Sequence, residues 1–96
     1  MNIKKCESFK DRFMGMMFLK EKTDTGYYFK KCHSIHTFFC KYKLDVVLLN
    51  KNDEVITVKY NLRPGKVYFF NCYSIIEFQS NNLNFYIQKD TFKKYL

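Results

Sequence analysis

The chain contains no alanine and no tryptophan, only one proline and three glycines. So few breakers exclude a collagen-like repeat or a Pro/Gly-rich linker. Arginine is scarce too: of 17 lysines and arginines, only Arg12 and Arg63 are arginine. The residue best suited to bidentate phosphate or guanine contacts is therefore thin on the ground. No Cys-x-x-Cys occurs among Cys6, Cys32, Cys40 and Cys72, so free thiols are expected. No apolar run is long enough to span a bilayer as a helix, and no apolar stretch precedes Lys10 and Asp11 as a secretory signal would require. A cytoplasmic protein without membrane association is the expectation.

What is present is bulk. Hydrophobic residues make up 47% of the chain and aromatics 20%, which argues against disorder and builds the core from Phe and Tyr. A length of 96 residues fits a single domain over 1–96. The formal net charge of +8 suits nucleic acid or an anionic surface. Yet the lysines are scattered, with doublets at Lys4-Lys5, Lys30-Lys31 and Lys93-Lys94. Lys, Asn, Tyr, Phe and Ile dominate as A/T-rich codons would dictate, and no nucleic-acid motif accompanies them. Nucleic acid therefore ranks last among the partners considered.

The most informative stretch is Cys32 to Asn50. Leu44 to Leu49 is a short, nearly continuous apolar run ended by the turn-like Asn50-Lys51-Asn52-Asp53. Its length and valines predict a strand buried on both faces. Asp45 inside it is costly to bury unless hydrogen-bonded. Ile35 to Cys40 reads as a similar strand, in which His36 and Thr37 point to opposite faces.

Elsewhere, residues 2–6 fit a short strand. Ser8 is an N-cap candidate, and Phe9, Phe13, Met16 and Met17 recur at helical spacing, predicting a helix from Ser8 to about Phe18. Further strands are expected at Gly26–Lys31, Glu54–Tyr60, Val67–Phe70, Tyr73–Gln79 and Leu83–Gln88, with a turn at Arg63-Pro64-Gly65. Between the strands no helix is available for parallel βαβ units. The expected fold is mainly β: a small antiparallel β-sandwich or barrel with one short N-terminal helix.

Three blocks carry a resemblance. They are Arg12-Phe13-Met14-Gly15-Met16-Met17-Phe18; Cys32-His33-Ser34-Ile35-His36-Thr37-Phe38 with Leu44-Asp45-Val46-Val47-Leu48-Leu49; and Arg63-Pro64 with Ser74-Ile75-Ile76-Glu77-Phe78. Together, from about residue 7 to residue 92, they resemble the domain-of-unknown-function family 192 (DUF192). Phe39 and Cys40 depart from its usual Gly-Met. The resemblance implies a compact, mainly antiparallel β structure with one short helix and brings no established activity. It implies recurring polar positions at His36, Thr37, Asp45 and Glu77.

These four, with Arg63, are the candidate ligand-binding residues. They would suit a binding module for a small polar ligand, such as a sugar, or for a peptide segment. A base and two acids at His36, Asp45 and Glu77 also allow a small enzyme by general acid–base chemistry. No nucleophile elbow, P-loop or H-E-x-x-H supports that alternative, and no cofactor is implied. Cys32, His33, His36 and Cys40 lack the spacing of a familiar zinc site, so no metal is expected.

Overall fold

The computed structural model of the protein describes residues 1–8 and 23–96. Their strands are β1 (Ile3–Lys5), β2 (Gly26–Phe29), β3 (Ser34–His36), β4 (Leu44–Leu49), β5 (Val55–Leu62), β6 (Val67–Phe69) and β7 (Ser74–Gln79), followed by a 3-10 turn at Lys93–Tyr95. Five strands form one sheet in the order β1-β2-β7-β4-β5, and β3 pairs with β6 in a separate ribbon. The helix predicted from Ser8 to about Phe18 lies, beyond Ser8, outside the described residues.

Leu44–Leu49 forms the predicted strand, and all six of its residues are buried. Ser74–Gln79 is equally buried and lies directly beside it. Alternation divides their side chains between two cores. On one face Val47 and Leu49 of β4 meet Ile76 and Phe78 of β7, Tyr28 of β2, and Leu83 and Phe92 from the C-terminal segment. On the other, Val46, Leu48 and Ile75 lie under Ile35 of the ribbon, flanked by Leu62, Tyr68 and Phe70. Each fully buried Leu, Ile, Val or Phe stabilises the fold by about 1.5–3 kcal/mol.

Several expectations need correction. The sheet is open rather than a closed barrel, and it is mixed: β1 runs parallel to β2, with Ile3 opposite Gly26. Residues 6–25 separate these strands, enough chain for the crossover that parallel pairing demands. The strand predicted over Ile35–Cys40 ends at His36, because Thr37 leaves the ribbon to bind the turn after β5 and Phe39 takes a φ of 63°. The strand predicted over Leu83–Gln88 does not form. That segment crosses the first face instead, burying Leu83 and packing Ile87 on the core.

β5 carries two register breaks. Leu48 opposes Thr57 while Leu49 opposes Val55, so Ile56 is an extra residue. Near the other end Val46 opposes Lys59 and Leu44 opposes Leu62, leaving Tyr60 and Asn61 opposite Asp45. Bulges of this kind bend an edge strand and redirect its side chains.

Gly26 marks a close approach. A Cβ there would lie 2.5 Å from Phe78 Cζ and 2.8 Å from Ile3 Cδ1. Phe78 is packed in the core, so its ring cannot simply swing aside. Gly26→Ala should therefore destabilise the protein by about 1–3 kcal/mol, the usual cost of overpacking. Urea unfolding against the parent checks this; an unchanged midpoint would show that β2 and β7 can separate locally.

Candidate functional site

Asp45 is buried, and its carboxylate has three donors. Oδ1 accepts the Asn61 N–H at 2.8 Å and the Ser80 hydroxyl at 3.1 Å, and Oδ2 accepts the Asn81 N–H at 3.3 Å. Asn61 and Asn81 both have positive φ, at 59° and 73°. Asparagine tolerates that region better than most residues. Asp45 thus fastens the β5 bulge and the turn after β7 to the middle of the sheet.

Thr37 has a similar task. Its hydroxyl donates to the Arg63 carbonyl at 2.7 Å and accepts the Lys66 N–H at 2.9 Å. Its own N–H donates to the Lys66 carbonyl at 2.8 Å, and its carbonyl accepts from the Gly65 N–H at 2.9 Å. The Arg63-Pro64-Gly65-Lys66 turn is held almost entirely by this one threonine. Arg63 adds an N–H bond to the Tyr68 hydroxyl at 2.9 Å, and the residue is exposed.

Glu77 lies opposite Val46 and shares that residue's face, whereas Asp45 lies opposite Phe78 and shares the other. The two acids point to opposite sides of the sheet. Burial pushes the Glu77 carboxyl up to about 8, so it is largely neutral at pH 7. The Cys40 thiol, pushed up to about 11 by burial and then by the charge of Glu77, lies near it. His36 sits on the ribbon beside Ile35, whose side chain enters the core, so alternation puts the imidazole on the ribbon's outer face, half-buried and with its Nδ1 shielded from water. There it stacks on Phe38, with ring centroids 5.5 Å apart. His36, Asp45 and Glu77 therefore do not converge on one cleft.

The four cysteines are free thiols. Among the described residues, no three His, Cys, Asp or Glu side chains gather where they could hold an ion.

An open groove of about 660 Å³ lies elsewhere, between β5 and residues 85–89. Its walls include Ile56, Tyr60, Phe85 and Tyr86, all exposed, with Tyr86 82% accessible. Among the described residues β5 pairs with β4 alone, and its outer side receives one bond, from the Val55 N–H to the Lys89 carbonyl at 2.7 Å. Glu54 at the groove's end is bridged by Lys89 at 3.5 Å and Lys93 at 3.4 Å. None of these groove residues stood out in the sequence. The alternation of Glu54–Tyr60 was visible, but the bulge that turns Ile56 outward was not.

An open mixed sheet with a ribbon on one face and a chain segment on the other is the class these features define. No protein-family model matches the chain, and no curated protein matches it. Two solved structures share the fold. One is a protein of unknown function from Novosphingobium aromaticivorans, 15% identical, with a TM-score of 0.67 over 82% of this chain and 63% of that one. The other, from Sinorhizobium meliloti, is provisionally named a transcription regulator; it is 12% identical, with a TM-score of 0.71 over 84% of this chain and 70% of that one. The chain thus spans about two thirds of the length of either protein.

The placement of the acids has measurable consequences. Asp45→Ala strands three donors and should cost about 1–3 kcal/mol, with Asp45→Asn costing less because one acceptor oxygen remains. Urea midpoints decide: equal midpoints for all three proteins would remove the structural role. For Glu77 the folded-state pKa is raised above its unfolded value, so the unfolded chain releases the proton first. Between about pH 4.5 and about pH 8 the ionised unfolded state gains, and native stability falls as pH rises. Glu77→Gln should remove this slope, so its stability relative to the parent should grow from about pH 5 to about pH 8. Parallel pH dependences of the two proteins would contradict it.

Proposed function

We propose that the protein is a binding module that holds an extended peptide segment along β5. The observation that carries this reading is the groove beside an eight-residue edge strand, lined by exposed Ile56, Tyr60, Phe85 and Tyr86. Strand edges recruit extended segments through backbone hydrogen bonds, while alternate side chains find apolar walls. A partner peptide fits better than a second copy of this chain, since two molecules of net charge +8 repel. The small-ligand and enzyme alternatives draw little support, because Asp45 and Thr37 spend their polar atoms on the fold and Glu77 faces away from Asp45.

We also propose membership of DUF192. In support, the Ser34–His36 and Leu44–Leu49 segments of the resemblance form β3 and β4, and residues 74–78 lie within β7. Free thiols favour a reducing compartment such as the cytoplasm. Among the described residues no helix is long and apolar enough to cross a membrane.

Selection of random peptides displayed on phage tests the groove. Enriched peptides should alternate apolar residues and slow amide exchange along β5. Ile56→Lys and Tyr86→Ala, both at exposed positions, should keep the parent's unfolding midpoint and bind about tenfold more weakly, a loss of about 1.4 kcal/mol. Failure to enrich any peptide, or equal binding by both variants, would overturn the proposal.

A further inference from the structure

The pairing of β3 with β6 gathers cations that are dispersed in sequence. The chain from Lys30 to Lys43 contains no Asp or Glu, and neither does the chain from Arg63 to Tyr73. Lys41, Lys43, Arg63 and Lys66 in these two spans are all exposed, whereas Lys30 and Lys31 lie apart, beside Glu7 and Asp53. On the ribbon's outer face Ser34 lies opposite Phe69 and His36 opposite Val67. His36 and Phe69 are therefore diagonal neighbours, about 7–8 Å apart. Phe38 continues the line by stacking on His36. Phe69 is 74% exposed and Phe38 43%.

We propose that this ribbon binds single-stranded nucleic acid, with bases stacking along Phe69, His36 and Phe38 and the surrounding cations meeting the phosphates. Sheets that present rings in a row accept two or three unpaired bases in this way. Stacking of this kind tolerates any base, which fits a surface with one arginine and otherwise lysine. An anionic membrane would also answer the charge. It would, however, have to take the imidazole of His36 and the hydroxyl of Ser34 into hydrocarbon, at a cost nucleic acid does not impose. The ribbon packs on the second face of the sheet, whereas the peptide groove flanks the first, so either proposal can fail alone.

Fluorescence anisotropy with labelled oligo(dT) and oligo(U) of about 12 nucleotides, a length one module can cover, tests this. Duplex DNA of equal length and phosphatidylserine-containing vesicles serve as rivals. Binding should favour the single strands and fall steeply between about 50 and about 200 mM salt. Phe69→Ala and Phe38→Ala should each weaken binding about tenfold at an unchanged unfolding midpoint. Lys66→Gln should reduce the salt slope by about 1. No binding, equal affinity for duplex, full binding by both alanine variants, or partition to vesicles instead would each overturn the proposal.

Discussion

Six cross-strand pairs join β4 to β7, from Leu44 opposite Gln79 to Leu49 opposite Ser74, and every residue in both strands is buried. A sheet covered on both sides cannot leave a polar side chain in these strands to water. Asp45 collects three donors, and Gln79 accepts the Thr23 N–H at 2.9 Å through Oε1. Glu77 keeps its proton. The same constraint requires two covers: the ribbon on one face, and the segment carrying Leu83 and Phe92 on the other.

β4 was legible as a strand buried on both faces because such burial leaves a simple mark, an apolar run of strand length; β7, Ser-Ile-Ile-Glu-Phe-Gln, lacks that mark and was legible only as a strand. Asp45 was legible as a residue needing compensation, although its donors come from Asn61, Ser80 and Asn81, far along the chain. What could not be read was register. Asp45 and Glu77 sit on adjacent strands, yet the pairing sets Asp45 against Phe78 and Val46 against Glu77. That offset of one residue sends the two carboxyl groups to opposite faces. Thr37 misled for a related reason: a polar residue beside an apolar run can serve a turn distant in sequence, here Arg63 to Lys66. Leu83–Gln88 has the composition of a strand, but its apolar groups are used as a lid over the core.

The polar residues that attract notice in the sequence are thus largely consumed by architecture, while the surfaces suited to partners are aromatic and lie at the periphery. Ile56 and Tyr60 owe their exposure to the bulges of β5, and Phe69 to the outward face of a two-stranded ribbon. Neither follows from a motif. Both follow from where pairing stops.

The central position of β7 also bears on how the chain assembles as it is synthesised. Among the described residues β2 and β4 are not neighbours; they join through β7, which is the last of these strands to be made. The β4–β5 hairpin can close as soon as it emerges, but the edges of β2 and β4 that flank β7 stay open until Gln79 has left the ribosome. Such non-local closure is slow compared with local pairing. During that interval the nascent chain exposes its most apolar strand along one side, the condition under which strand edges recruit wrong neighbours.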